Sequence, residues 1–223
     1  MLLRIPSLLS EEQLKTVQAL LAQGRFVDGK LSAGMAAQRV KYNEELEQEG
    51  PAVEQLNEIV MGSLVRHPVY RNGALPQRVA VPFYARYTTG MGYGDHIDDP
   101  VMGPGPRYRS DIAITIFLNG PECYDGGELV IRTAFGDREI KLGAGDAIMY
   151  PASSLHRVAE VSRGERLVAV TWVQSLIRDP ARRELLYELN LAREKLLHTL
   201  PDAEETARVN TVYVNLVRMW AEI

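Results

Sequence analysis

The sequence predicts a mainly β protein: a double-stranded β-helix, or jelly roll, with helices before it and a helical extension after it. Three observations predict this. Between Arg78 and Val173 the chain falls into many short segments rich in Val, Ile, Phe and Tyr, separated by Gly-rich turns, which is the pattern of a sandwich or barrel. On either side of that region the apolar residues recur every three to four positions, as on an amphipathic helix. A jelly roll also protects the edges that so many strands would otherwise expose. Residues 1–177 are therefore expected to form the jelly-roll domain with its N-terminal helices, and residues 178–223 a C-terminal helical extension.

Ser10 with Gln13 reads as a capping box, and Leu14, Val17, Leu20 and Leu21 then share one helical face that ends at Gly24. Residues 25–45 are Gly-punctuated and predict turns and a short strand. Gly50-Pro51 opens a second helix whose Val53, Leu56 and Val60 form a stripe. His67-Pro68 and Asn72-Gly73 mark residues 66–77 as loop. From about Val79 the pattern becomes extended, through Arg78–Thr88 to the Gly-rich approach to His96. Pro100–Arg107 contains three Pro and two Gly and reads as an irregular loop, either a lid or a plain connector. Strands follow at Asp111–Leu118, Glu128–Arg132, Arg138–Leu142, Asp146–Tyr150 and Leu167–Val173. The first is apolar at almost every position, as a strand buried on both faces would be. After Ser175 one helix carries Leu185, Leu189, Ala192 and Leu196. A second, capped by Asp202 with Glu205, carries Val209, Tyr213, Leu216 and Trp220. Those stripes need cover from the barrel or from another subunit, so a homo-oligomer through the C-terminal helices is one expectation.

The chain's 223 residues, 46% hydrophobic and 24% charged, suit an ordinary globular protein. Its 25 basic and 29 acidic residues leave a net charge of −4 with no long run of either sign, which argues against a nucleic-acid face or a polybasic membrane patch. No segment has the roughly 18 apolar residues of a membrane span, and the N-terminus lacks a signal-peptide pattern. Cys123 is the single cysteine, so no internal disulfide forms and a reducing cytoplasm is the expected setting.

His96 and Asp98 stand two apart, and in extended chain such residues project to the same side. His156 lies far beyond, in YPASSLHRV. Two imidazoles and one carboxylate on one face of a metal, with the remaining positions open, are the donor set of non-haem Fe(II) oxygenases. His-x-Asp alone is weak, but the chain has only four His. His67 before Pro68 and His198 at a helix end read as structural. Arg166 enters the segment Leu167-Val168-Ala169-Val170, where a buried guanidinium needs an anion and its fork suits a carboxylate. A 2-oxo diacid that chelates the metal would supply one. An exposed turn arginine is the bland reading of Arg166, and packing that of Tyr87 and Tyr93. Asp111, Thr115 and Trp172 are further candidates for the cavity wall, whereas Glu128 reads as a strand-end residue. Two other readings stay open on these residues: a cupin-like metal isomerase or ring-cleaving dioxygenase, and a metal-free jelly-roll binding module. Arg166 discriminates, because only the oxygenase needs a cation for a diacid.

The chain also resembles the PKHD-type hydroxylases, the PiuC-like bacterial branch of the prolyl 4-hydroxylase-related 2-oxoglutarate oxygenases. The resemblance spans nearly its whole length. It rests on Val27-Asp28-Gly29, Arg86-Tyr87, Gly90, Tyr93, His96 and Asp98, then on Tyr124-Asp125-Gly126-Gly127-Glu128-Leu129 and Ala144-Gly145-Asp146. Tyr150-Pro151, Ser154-Leu155-His156-Arg157-Val158, Arg166, Trp172-Val173-Gln174-Ser175 and Tyr213 to Trp220 complete it. Tyr42, Val214 and Ala113-Ile114 depart from the pattern, none at a candidate ligand. The resemblance implies Fe(II) held by His96, Asp98 and His156, with 2-oxoglutarate bound by Arg166 and, more loosely, Tyr87. It implies O2 as co-substrate, succinate and carbon dioxide as co-products, and ascorbate as an accessory reductant. The hydroxylated substrate it leaves as a small molecule or a protein side chain.

Overall fold

The computed structural model describes residues 1–103 and 105–223. A short strand, β1 (Leu3–Ile5), precedes α1 (Glu11–Gln23). Ser10 and Gln13 form the expected reciprocal box and Gly24 ends the helix, whose Val17 and Leu21 are buried. Residues 25–46 hold more strand than expected: β2 (Phe26–Asp28), β3 (Lys41–Tyr42) and β4 (Glu44–Leu46). The second helix, α2 (Pro51–Arg66), buries Val53, Leu56 and Val60 as predicted, and Leu64 in addition.

The loop expected over 66–77 is instead largely α3 (Pro68–Ala74). His67 caps it, its ring nitrogen accepting from the Val69 N–H, and Pro68 takes the first-turn position that needs no N–H. Gly73 makes no turn. A Cβ there would stand 2.6 Å from Leu3 and 2.7 Å from Met149, so the missing side chain serves close packing of helix on sheet.

The strands continue as β5 (Pro76–Val79), β6 (Phe83–Thr88), β7 (Gly92–His96), β8 (Val101–Met102) and β9 (Tyr108–Arg109). Next come β10 (Ile112–Phe117), β11 (Tyr124–Gly126), β12 (Leu129–Thr133), β13 (Gly136–Ile140) and β14 (Ala147–Pro151). The last two are β15 (His156–Val158) and the long β16 (Val161–Ser175). The 100–107 segment is not wholly irregular: β8 and β9 pair as a small antiparallel ribbon, while Pro104 lies outside the described residues. The larger sheet runs β1-β14-β10-β16-β6-β4-β2, with β5 and β11 also on β16. The smaller runs β13-β12-β15-β7-β3.

β10 shows why its sequence is apolar throughout. Ile112, Ile114 and Ile116 join the core shared with α1, α2 and α3, whereas Ala113 and Phe117 join the core between the two sheets. One strand thus meets two apolar layers, each taking alternate residues. Leu129, Ile131 and Val158 of the smaller sheet close the inter-sheet core from the other side.

The chain ends in α4 (Pro180–Thr199) and α5 (Glu204–Trp220). The face of α4 differs from the one predicted. Arg183, Leu186, Tyr187 and Asn190 are buried, and Leu185 is exposed. Arg183 donates to the carbonyls of Ile177 and Arg178 at 2.6 and 2.8 Å, so the buried stripe is partly polar and invisible to a count of apolar spacing. Ala203, not Asp202, stands at the N-cap of α5 and makes no side-chain bond. The stripe of Val209, Tyr213, Leu216 and Trp220 is half-buried, with Arg193 of α4 over the Tyr213 ring.

Candidate metal centre and its cavity

β7 and β15 are neighbours in the smaller sheet, and their antiparallel register sets His96 directly opposite His156. Each imidazole bends back to its own backbone. His96 Nδ1 lies 2.8 Å from the Gly94 carbonyl and His156 Nδ1 2.9 Å from that of Ser154. A carbonyl only accepts, so both Nδ1 atoms carry the proton and both Nε2 atoms keep a lone pair. β7 stops at His96, and Asp98 follows in non-strand chain just beyond it. The donor atoms of His96, Asp98 and His156 all lie within 4.8 Å of one another, with His156 Nε2 3.9 Å from Asp98 Oδ1. Tyr93 stacks on His96 with ring centroids 3.6 Å apart and planes 10° from parallel. Tyr150 meets His156 edge-on at 5.2 Å.

The electrostatics of this cluster call for a cation. Burial, then the neighbouring His156, lowers the His96 pKa to about 4, against an opposing hydrogen bond to Gly94. Burial raises that of Asp98, partly offset by His156 and by the Trp172 indole N–H. Neither Asp98 Oδ2 nor Trp172 Nε1 has a partner at hydrogen-bonding geometry among the described residues. Two imidazoles whose Nδ1 atoms are engaged, leaving Nε2 to face a buried, underpaired carboxylate, suit a divalent metal.

Arg166 lies within β16, opposite Tyr87 of β6. It is only 1% exposed. Its guanidinium sits over the rings of Tyr87 at 4.9 Å and Phe117 at 5.7 Å. Among the described residues Nε and Nη1 have no hydrogen-bond partner, nor has the nearby Tyr124 hydroxyl. Gly127, at φ +67°, makes room: a Cβ there would press within 3.1 Å of Arg166 Cδ. A buried cation without an anion is costly, so the geometry fits a carboxylate guest.

Arg166 and the three donors line one cavity of about 790 Å³ between the sheets. Tyr87, Tyr93, Thr115 and Trp172 line it too, as expected. Asp111 does not. It is clamped by Arg109, with N···O distances of 2.6 and 3.1 Å, and accepts the Ser175 N–H, which ties β9 to the end of β16. Glu128 pairs with Lys141 at 3.7 Å at a strand edge. Sequence reasoning missed Tyr150, which the inward alternation of β14 would have marked. It also missed Tyr124, Asn43 and the Lys41–Glu45 pair, for which no local signal existed.

Residues 82–174 match the 2OG-Fe(II) oxygenase superfamily and residues 180–222 the PKHD-type hydroxylase C-terminal domain. A PKHD-type hydroxylase of Thioalkalivibrio sulfidiphilus is 52% identical over 224 residues, covering the whole of both chains. This chain belongs to the PKHD-type hydroxylase family. It is a 2-oxoglutarate-dependent dioxygenase, of a family that uses Fe(II) as cofactor and 2-oxoglutarate and O2 as co-substrates. Solved structures share the fold. A Pseudomonas putida prolyl-4-hydroxylase aligns with a TM-score of 0.56 and 16% identity, over 78% of this chain and 92% of that one. A Trichoplax adhaerens prolyl hydroxylase, solved with a peptide fragment of hypoxia inducible factor, aligns at 0.57 and 19% over 82% and 86%. No helix among the described residues is long and apolar enough to cross a membrane.

Proposed function

We propose that His96, Asp98 and His156 hold the Fe(II) of this PKHD-type hydroxylase and that Arg166, assisted by Tyr87, receives the distal carboxylate of 2-oxoglutarate. The observation that carries this reading is a buried guanidinium with unpaired Nε and Nη1 in the same cavity as three convergent donor atoms. Iron held there would supply the oxidising chemistry, in which O2 gives one oxygen atom to 2-oxoglutarate, released as succinate and carbon dioxide, and the other to a substrate C–H bond, which becomes C–OH. The protein contributes binding, orientation and shielding. The two Nδ1–H bonds point each Nε2 inward, and the Tyr93 stack fixes the plane of His96. Asp98 offsets part of the metal's charge. The Arg166 fork fixes one end of the diacid so that its other end reaches the metal. Phe83, Val170 and Trp172 make that part of the wall apolar, which limits water beside the reacting groups.

The substrate is a small molecule or a protein side chain. The peptide held by the Trichoplax neighbour makes the second a natural candidate. A cytoplasmic setting agrees with the lone, exposed Cys123, and ascorbate would serve to keep the iron ferrous. Residues 178–223 are taken as an extension to the 1–177 domain, and exposed Val212 and Met219 on α5 offer a face for self-association, to be tested by sedimentation. The deciding experiment is anaerobic Fe(II) titration with and without 2-oxoglutarate, followed by succinate measurement. Asp98→Ala should lose the metal. Arg166→Ala should keep it and lose co-substrate affinity, and unchanged affinity in that variant would refute its assigned role.

A further inference from the structure

The strand β4, one of three where the sequence suggested a single short strand, extends the inner face of the larger sheet beyond β6. Glu45 pairs with Ala85 and Glu44 with Arg86, and one further step along that register puts Asn43 beside Tyr87. Lys41 of β3 stands opposite Tyr93 of β7, its Nζ 5.5 Å from the centre of the ring that stacks on His96. Lys41, Asn43 and Glu45 are all more than nine-tenths buried, and all line the cavity. They make the lining next to Tyr87 and Tyr93 polar, whereas Phe83, Val170 and Trp172 make another part of it apolar.

The hydrogen-bond capacity of this wall is partly unused. An ammonium has three N–H donors. Lys41 directs one to Glu45 Oε1 at 2.5 Å and one to Ser32 Oγ at 2.9 Å, leaving one. Glu45 spends Oε1 on Lys41, leaving Oε2, while Asn43 Oδ1, without a partner among the described residues, packs against Gly29. A buried ion pair is seldom more stabilising than apolar residues of the same size, so this one needs another reason to be here. Its charges cancel. A carboxylate guest would meet Glu45 and an ammonium guest Lys41, whereas a neutral group carrying a donor and an acceptor side by side satisfies both.

We propose that Lys41 and Glu45, beside Asn43, form a substrate-recognition wall selective for a secondary amide, its carbonyl accepting from Lys41 and its N–H donating to Glu45. The proposal rests on the reading that the metal and co-substrate lie against Tyr93 and Tyr87, and it assigns the substrate class to that same site. The amide belongs to a free small molecule or to a polypeptide backbone.

The test is calorimetric, on protein loaded with Mn(II) and 2-oxoglutarate, with N-acetylalanine methylamide as probe and its all-ester analogue as control. The diamide should bind at least tenfold more tightly than the ester. In the double variant Lys41→Met/Glu45→Leu, which leaves no lone buried charge, that preference should fall below about twofold. The 2-oxoglutarate affinity of the variant should stay within about twofold of wild type, showing that the fold and the Arg166 end are intact. Equal affinity for amide and ester, or no binding of either by protein that takes up 2-oxoglutarate normally, overturns the proposal. Failure to take up metal and 2-oxoglutarate in the wild type would instead sink the site assignment beneath it. Reduced, carboxymethylated lactalbumin, an unfolded polypeptide, separates the sources. Displacement of the diamide by it assigns a backbone amide, and diamide binding that it does not disturb assigns a small molecule.

Discussion

Replacing Arg166 by Met, similar in reach but uncharged, should separate co-substrate binding from stability. In the ligand-free protein Arg166 is 1% exposed and two of its guanidinium nitrogens are unpaired. Removing an uncompensated buried charge is neutral or favourable. Against that stands the loss of its contacts with Tyr87 and Phe117, about 0.5–2 kcal/mol. The free variant should therefore melt within a few degrees of wild type. With ligand the outcome reverses. A ligand at a hundred times its Kd stabilises by about 2.7 kcal/mol, which for a chain of this size is a shift of roughly 5–11 °C. Truncating one side of a buried charge pair costs about 2–5 kcal/mol, so the variant's Kd should rise at least about thirtyfold. At the same 2-oxoglutarate concentration its melting shift should shrink to about 3 °C or less. The assay is anaerobic thermal melting with Mn(II), plus and minus 2-oxoglutarate. An undiminished shift, or a free variant melting more than about 5 °C lower, would show that Arg166 is a structural residue whose missing anion means nothing.

Four further outcomes follow from the same geometry. Tyr93→Leu should weaken metal binding by about tenfold through loss of the stack on His96, an effect of about 1.4 kcal/mol. Tyr93→Phe should restore it, as measured by Co(II) titration. Gly126→Ala should destabilise the fold by about 2–5 kcal/mol, because φ is +72° and the new Cβ would stand 2.1 Å from the Glu160 carbonyl oxygen; urea denaturation reads this. Gly127→Ala, at φ +67° with its new Cβ 3.0–3.1 Å from Tyr124, Val161 and Arg166 Cδ, should also destabilise the fold and weaken 2-oxoglutarate binding about tenfold, an effect of about 1.4 kcal/mol, while the folded protein still takes up metal. Ser10→Ala should remove the α1 cap at a cost of about 1 kcal/mol, or some 2–4 °C, with no change in either ligand's affinity.

Much of the architecture was legible because it is written in local periods. The capping box at Ser10, the stripe of Val53, Leu56 and Val60, and the unbroken apolar run of β10 each show as a pattern among residues near one another in sequence, whatever they pack against. Where partners come from afar, the reading failed. Asn72-Gly73 carries a turn signal, yet Gly73 is helical because Leu3 and Met149 press against it. The buried face of α4 was missed for another reason: Arg183 and Asn190 are polar, and their partners Ile177, Arg178, Arg193 and Glu194, though near in sequence, do not show in a count of apolar spacing.

The functional site divides along the same line. The sequence alone determined the chemical kinds present: His96 and Asp98 in donor spacing, a second histidine before a strand, and an arginine entering an apolar segment that could not hold it unpaired. Only the tertiary structure decided that β7 and β15 lie side by side with His96 against His156, that Arg166 and Tyr124 keep unspent hydrogen-bonding groups, and that β4 brings Asn43 and Glu45 to the cavity. Asp111, chosen from sequence for the wall, was taken by Arg109 instead. The reason is physical. Side-chain chemistry is a property of the residue, whereas strand register, burial and the pairing of charges are set between segments far apart along the chain.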